Sequence, residues 1–499
     1  MTTCLMLILI LLPMLFGALV ALLKKQPRRL KLWMIFAALS AEAVLATVLC
    51  FLPSGTVTLF TMTEKLQVSL SLDGVGKLFL LVATWGFLLS GVFAFRYLAH
   101  AEEGSFPEEM FYAFYCFSLS ALVGMDMADN LVAMYFFYEM VTLLSMPLVL
   151  HERTKESIHA ALKYLFYSIA GAFLALGCIF FLATYSTTLT FHVGGSLDAS
   201  LVAGHETLLR VVTFLGIFGF GAKAGMYPLH GWLPSAHPVA PAPASAVLSG
   251  IIAKAGVLAI IRVLYFSVGT GVVAGTWVQT AWLSIALLTV FMGSMMAYGE
   301  KVLKKRLAYS SVSQISYVLT GLFLMNPLAV EGALMQVMYH AAVKICLFLT
   351  AGSIIANRGF HRVDELKGLG RTMPVTFATF TLASLSLIGI PPFAGFVSKW
   401  YLCEGALDSG LSVFSWLAPV VLLVSALLTA GYLLPISISA FFPGHDHQEP
   451  TEKRTLAGEG GLMMLIPLVV LSALALLLGV FSGQVEGLVA PLAASLFAA

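Results

Sequence analysis

Apolar runs recur along the whole chain, each close to the ~20 residues that a membrane-spanning helix needs. They fall at 4–23, 32–52, 75–95, 110–126, 129–150, 158–184, 207–228, 244–266, 277–298, 307–325, 333–355, 374–404, 412–442 and 462–482. The fourth is short, and the twelfth is long and interrupted at Pro391–Pro392. Polar connections stay short throughout. The longest, PGHDHQEPTEKRTLAGEGG at 443–461, leaves no room for a separate extramembrane domain. The pattern predicts an all-α polytopic membrane protein of about fourteen transmembrane helices.

Composition agrees. Of 499 residues, 60% are hydrophobic and 10% charged, and the mean hydropathy is +0.95. That is too little charge to cover a water-facing surface. The net charge of +2 identifies no partner, and no nucleic-acid partner is expected. The distribution of charge is more informative. Basic residues between runs cluster after the odd-numbered ones: Lys24 to Lys31, Arg96, Arg153 and Lys155, Lys301 to Arg306, Arg358 to Arg371, and Lys453 with Arg454. The alternate loops and termini hold Lys65 alone. The positive-inside rule then puts the basic loops in the cytoplasm and both termini outside, in what we expect to be a bacterial cytoplasmic membrane. The N-terminus lacks a basic leader and is followed by KKQPRRLK, so it reads as a first span rather than a signal peptide.

Charges inside the runs are the exceptions, because a Lys or Asp at a helix centre costs about 2.5–3.5 kcal/mol. Arg262 and Glu404 lie near helix ends, where snorkelling accounts for them. Glu42 reads as a lipid-edge or subunit contact, or as functional. Lys163 lies a turn or two from a helix end and is open to a structural or a functional reading. Glu139, Lys223, Lys254, Lys344 and Lys399 sit well inside apolar stretches. Four lysines face one deep acid, so simple ion pairing leaves most of them uncompensated. Burial disfavours the charged form of an amine, and a row of groups that can hold or release a proton is what a proton relay requires.

Two of these lysines lie beside helix breaks. After Lys223 the chain reads AGMYPLHGWLPSAHP, with Pro228 and Pro234 flanking His230, and His237 beyond. Before Lys399 it reads GIPPFAGFVS, with Pro391 and Pro392. Proline removes a donor and constrains its predecessor. Broken backbone at membrane depth is tolerated where it lines a cavity or is buried in protein, and paired breaks in two halves of a chain point to an ion path.

Taken together, several stretches resemble the antiporter-like membrane subunits shared by respiratory complex I, Mrp-type cation/proton antiporters and membrane-bound hydrogenases. The most specific is HGWLPSAHPVAPAPASAVLSGIIAKAG at 230–256. NLVAMYFFYEM (130–140), KRLAYSSVSQISYV (305–318), MYHAAVKICLFLTAG (338–352) and GIPPFAGFVSKW (389–400) support it. The resemblance implies a Glu139–Lys223 pair on spans 5 and 7, a central Lys254 on span 8, His340 and Lys344 on span 11, and Lys399 as the terminal group on span 12. It also implies two inverted five-helix repeats, spans 4–8 (110–266) and 9–13 (277–442). Three spans precede them within 1–109, and one follows within 462–499. Protons are then expected to enter from the cytoplasm and pass along Lys223, Lys254, Lys344 and Lys399, gated by the Glu139–Lys223 pair. Ser249, Ser311, Ser313, His340 and Ser398 are expected to hold linking water. Lys163, His230, His237 and Ser249 are secondary candidates. The chain ends soon after its fourteenth run, so a long lateral helix is not expected, as in the D-type Mrp, hydrogenase-type and smaller complex I members.

Three functions follow. The first is a proton-translocating subunit of a multisubunit cation/proton antiporter, with Na⁺ or K⁺ as candidate exchanged ions. The second is the proton-pumping arm of a complex I-like or hydrogenase-like redox enzyme. The third, an autonomous solute transporter, is disfavoured because Glu139 is the one deep anion. Other membrane subunits and the lipid bilayer are the expected partners. Six scattered cysteines (Cys4, Cys50, Cys116, Cys178, Cys346, Cys403) lack metal-ligand spacing, and no GxGxxG unit or CxxCH is present. No cofactor, metal or redox centre is expected in this chain. His445 and His447 read as part of a solvated loop.

Overall fold

Long apolar segments without interior charge become helices because a helix satisfies every backbone group within itself. The computed structural model describes residues 2–63, 66–100, 104–444 and 456–498; Lys65, His445, His447, Lys453 and Arg454 lie outside them. In chain order the elements are α1 Thr2–Leu22, α2 Arg28–Cys50, the hairpin β1 Thr56–Thr61 with β2 Gln67–Ser71, α3 Gly74–Tyr97, α4 Glu108–Asp126, α5 Leu131–Val149, α6 Lys155–Tyr185 and the short α7 Ala199–Val202. Then come α8 Glu206–Ala224, α9 Leu233–Val239, α10 Ala242–Val247, α11 Lys254–Ile261, the short α12 Thr270–Val273, α13 Trp277–Gly299 and α14 Leu303–Leu324. The last are α15 Pro327–Arg358, α16 Pro374–Ile388, α17 Ala394–Leu407, α18 Val413–Phe441, α19 Leu462–Val480 and α20 Ser482–Ser495.

Among the described residues, 12 helical segments are long and apolar enough to cross a membrane, counting Glu206–Val239 and Ala242–Val268 as one each. The two other expected spans are present in different form. The fourth is the 19-residue helix α4, and the twelfth is divided into α16 and α17. This is an all-α integral membrane protein with one small hairpin. The antiparallel β1–β2 pair has only a faint sequence signal, because its alternating TVTLFT and QVSLS lie in a short loop between two strong apolar runs.

Side-chain caps start several helices: Asp73 on Gly76, Asn130 on Ala133, Thr154 on Ser157 and Asn326 on Ala329, each a contact worth about 1 kcal/mol. Burial sorts the spans into shells. The apolar stretch of Thr2–Leu22 is 28% buried, whereas those of Ala242–Val268 and Leu303–Leu324 are 100% buried. These two segments and α15 form the centre, where the polar residues of the chain concentrate. Gly250 permits this closeness: a Cβ there would stand 2.5 Å from Ile345 Cγ1 on α15.

At the face opposite the basic loops, Arg262 is not snorkelling as expected. It is 2% exposed and donates two hydrogen bonds to Asp73, at 2.5 and 2.8 Å. Its guanidinium lies 5.0 and 4.8 Å from the rings of Phe191 and Phe266. A carboxylate at the start of α3 makes this helix end a clamp rather than a solvent anchor. Glu404, by contrast, is exposed as expected.

Candidate functional site

Both expected helix breaks occur where the prolines place them. Helix α8 ends at Ala224, one residue after Lys223, and Gly225 with a φ of 79° closes the turn. The chain resumes through Leu229–Trp232 and α9, with Pro234 in the first turn, where its missing N–H costs nothing. Helix α16 ends at Gly389, with φ 92°. Pro391 and Pro392 form the connection, and α17 restarts at Ala394 with Lys399 in its second turn. Span 8, expected to be continuous, carries π-turns at Leu248–Ile252 and Arg262–Val268. Single π-turns within α-helices often mark functional positions.

The four lysines share one mode of binding. Lys223 donates to Tyr138 O at 2.6 Å and lies 3.4 Å from the centre of the Tyr138 ring. Lys254 donates to Ser249 O at 3.0 Å, five residues back across the π-turn. Lys344 donates to Leu307 O at 3.0 Å and to Ser310 Oγ. Lys399 donates to Leu387 O and Ile388 O at 2.5 and 2.8 Å, carbonyls at the end of α16 beside its own helix break. Lys223, Lys254 and Lys344 are at most 1% exposed, and Lys399 is 9% exposed. Among the described residues none of the four forms an ion pair.

Hydroxyls connect two of them. Ser249 Oγ and Ser311 Oγ are 2.6 Å apart, and Ser311 Oγ donates to Leu307 O at 2.9 Å, the carbonyl that Lys344 also uses. A polar path thus joins Lys254 to Lys344. His340 lies one turn from Lys344, buried, with neither ring nitrogen hydrogen-bonded among the described residues. A further turn along, Gln336 Oε1 accepts from Ser398 Oγ at 2.6 Å, beside Lys399. A cavity of about 10 Å³ is lined by Gln336, Tyr339, His340, Ser386 and Gly395, about enough for one water. Ser313 is turned away from this path. It joins Ser294 and Ser425 in a separate hydroxyl cluster, at 2.8 and 3.2 Å.

The remaining sequence-derived candidates are placed less centrally. Glu139 is half-buried, and its Oε1 has no hydrogen-bond partner among the described residues. It follows the residue whose carbonyl holds Lys223, yet no direct ion pair forms. Lys163 is exposed on the outer face of α6 and donates to Ser235 Oγ at 2.9 Å. His230 is half-buried and its ring stacks on Tyr227 with centroids 5.7 Å apart. His237 is fully buried, neither nitrogen is hydrogen-bonded among the described residues, and its ring stacks 4.7 Å from Phe348. Glu42 is wholly buried on α2 with both carboxyl oxygens unbonded among the described residues, far from the central row in sequence.

Two residues of the basic-loop face do not stand out in the sequence. Lys304 is 4% exposed and ties down the end of α9 through Pro238 O and Ala240 O, at 3.2 and 2.6 Å. His151, in the turn after α5, is 3% exposed, and burial pushes its imidazole down to about 4. Both line a cavity of about 270 Å³ with Glu152, Pro238, Pro241 and His361. The KKR run disguises Lys304, since sequence gives no sign of which basic residue in a cluster turns inward.

Comparison with known proteins adds a family. Residues 128–429 match the family described as NADH:quinone oxidoreductase/Mrp antiporter, TM. The chain is 35% identical over 420 residues to NADH-quinone oxidoreductase subunit N of Desulforudis audaxviator, covering 82% of this chain and 81% of that one. It is 30% identical over 414 residues to the D-type Na(+)/H(+) antiporter subunit of Bacillus subtilis, covering 83% and 80%. Its fold superimposes on a chain of the Mrp complex from Dietzia sp. with a TM-score of 0.83 at 24% identity, over 98% of this chain and 97% of that one.

Proposed function

Because the chain belongs to the membrane-subunit family shared by NADH:quinone oxidoreductases and Mrp antiporters, we propose that it moves protons along Lys223, Lys254, Lys344 and Lys399 within a larger membrane complex. At the coarser level, it is a proton-translocating, antiporter-like membrane subunit of the Mrp or complex I-like kind. The observation that carries the finer reading is the lysine binding mode: four buried ammoniums, each held by a backbone carbonyl and none by a carboxylate. An ammonium in an ion pair that gives up its proton strands a buried carboxylate, at a cost of several kcal/mol. One held by a neutral carbonyl strands nothing, so both protonation states are accessible without rebuilding the site.

Glu139 and Lys223 form the gate in this reading. Lys223 has two adjacent resting places, the Tyr138 carbonyl it occupies and the Glu139 carboxylate one residue on. Movement between them changes the charge next to the row. Protons enter through the cavity lined by His151, Glu152 and Lys304. From there His237, with unbonded nitrogens, leads towards the centre. The basic loops make this the cytoplasmic side by the positive-inside rule. Residues 110–266 and 277–442 act as inverted repeats, with broken helices α8–α9 and α16–α17 in corresponding places. Other membrane subunits complete the complex.

For the driving reaction, cation exchange remains the first reading and matches the Bacillus subtilis relative. A quinone-linked pump is the second, favoured by the higher identity to the Desulforudis audaxviator relative. The test is proton flux in vesicles containing the assembled complex, with Lys223→Ala and Glu139→Ala beside wild type. Flux that needs Na⁺ or K⁺ on the opposite side and disappears in both variants supports exchange. Flux that ignores cations but needs an electron donor and quinone selects the redox pump. Wild-type flux in both assembled variants defeats the relay.

A further inference from the structure

At the end of the row farthest from the basic loops stands a carboxylate that neither the lysine row nor the gate uses. Glu331 lies in the second turn of α15, ahead of the apolar run read from sequence. It is 6% exposed, and its Oε1 is sealed with no hydrogen-bond donor among the described residues. A buried acid without a donor is costly. An acid needed only for anchoring would turn to the surface, as Glu404 does.

Its surroundings connect the row with the outer surface. Helices α15 and α17 meet backbone to backbone beside it: a Cβ on Gly332 would stand 2.8 Å from Leu402 N and 3.0 Å from Ser398 O. The backbone next to Glu331 therefore lies against the half-helix that carries Lys399. Eight residues further along α15, about 12 Å at 1.5 Å per residue, stands Tyr339. Side chains on a helix lean towards its N-terminus, so Tyr339 leans towards the end of α15 that carries Glu331, and the two are within electrostatic reach. The Tyr339 hydroxyl is buried and unbonded among the described residues. The same residue lines the water-sized cavity beside His340. On the other side of Glu331, the carboxylates of Glu404 and Glu486 are near enough for their charges to act on it. Both are exposed, and Glu486 is carried by α20, which packs on α15. None of the three acids forms an ion pair among the described residues.

We infer that Glu331 is the exit group of the row: it receives the proton through Tyr339 from the cavity beside His340 and releases it to water past Glu404 and Glu486. The inference rests on the proton-relay reading above. The step balances. The Tyr339 hydroxyl, not itself hydrogen-bonded to Glu331, gives its proton to the Glu331 carboxylate through a water between them and takes one from protonated His340 or a protonated water in the cavity. The Glu331 carboxylic acid then loses its proton to outer water, and the chain returns to its starting state. The two surface carboxylates draw the released proton outward and raise the local cation concentration at the mouth.

The experiment is proton flux in vesicles containing the assembled complex, with infrared difference spectra recorded as the pH on the outer side is stepped. Glu331→Gln and Tyr339→Phe are each expected to lower flux at least ten-fold. Glu331→Asp should recover most of it. Glu404→Gln and Glu486→Gln should each lower it less than three-fold. The carboxylic acid band that responds to outer pH should vanish in Glu331→Gln and return, shifted, in Glu331→Asp. Lys344→Ala, run in parallel, separates the two ideas. If it abolishes flux while Glu331→Gln leaves flux at the wild-type level, the exit assignment fails and the relay stands. If Lys344→Ala is itself without effect, the relay fails and takes the exit with it. Equal losses in Glu331→Gln and Glu331→Asp with an unchanged infrared band mark a structural carboxylate and overturn the assignment.

Discussion

Two hydroxyl clusters in the centre of this protein are nearly matched in chemistry but differ in position, which makes them a controlled pair. Ser249 and Ser311 share a 2.6 Å contact between Lys254 and Lys344. Ser294 and Ser425 share a 2.6 Å contact among α13, α14 and α18, with no hydrogen bond to a lysine of the row among the described residues. Replacing either Ser249 or Ser294 with alanine removes a buried hydroxyl, and the partners retain other acceptors: Ser311 keeps Leu307 O, and Ser313 keeps Val290 O. The cost in stability should therefore be similar, about 1 kcal/mol for a lost hydrogen bond. The cost in transport should differ. In Ser249→Ala the path from the Ser249 carbonyl to Leu307 O loses its middle contact, and a proton must cross where the 2.6 Å contact stood. If that contact contributes its ~1–1.5 kcal/mol to the transfer barrier, flux falls about ten-fold. Ser294→Ala should leave flux within two-fold of wild type. Vesicle-based flux together with thermal unfolding of the detergent-solubilised complex measures both quantities. Equal flux in the two variants would refute the hydroxyl bridge, whatever their stability.

Contacts elsewhere in the molecule carry consequences of their own. Arg262→Ala removes two hydrogen bonds to Asp73, whose side chain is 37% exposed, and should lower stability by about 1–3 kcal/mol, read as a loss of thermal unfolding temperature. The double variant Asp73→Asn with Arg262→Met keeps the cap on Gly76 and should regain most of that loss. His151 is held at about 4, below its ordinary 6.5, so on acidification the unfolded chain takes up this proton before the folded one does. Stability should fall as pH drops from about 6.5 to 4, by on the order of 3 kcal/mol in total, and His151→Gln should flatten that part of a detergent unfolding profile. Gly250→Ala drives a methyl against Ile345 and should cost about 1–3 kcal/mol, with Ile345→Ala restoring part of it in a double variant.

The row itself is legible in the sequence because charge inside a long apolar run is rare and expensive, and Lys223, Lys254, Lys344 and Lys399 need no more than run-finding to appear. The breaks are legible because proline has one backbone angle and no donor. What escapes is orientation about each helix axis. Lys163 and Lys304 are equally basic, yet Lys163, two turns into α6, is exposed and Lys304, at the very start of α14, is sealed against Ala240 O, since the neighbours that decide this are remote in sequence. Arg262 looks like a surface anchor because Asp73, its partner, is nearly two hundred residues away. Glu331 falls outside the apolar run that marks its span, so it looks like loop. The Glu139–Lys223 pairing, taken from resemblance, appears as adjacency without contact.

The π-turn before Lys254 has a consequence for how this chain tolerates change in length. A π-turn is an α-helix with one residue too many. Removing any one of residues 248–252 would let the segment relax into an ordinary helix, and everything after it would rotate by about 100° relative to what precedes it. Lys254 would leave the central row while every side chain needed for it remained in the sequence. Span 8 therefore stores part of its alignment as a count of residues rather than as their identity. Deletions that a hydropathy profile would score as silent should be among the most damaging changes in the molecule.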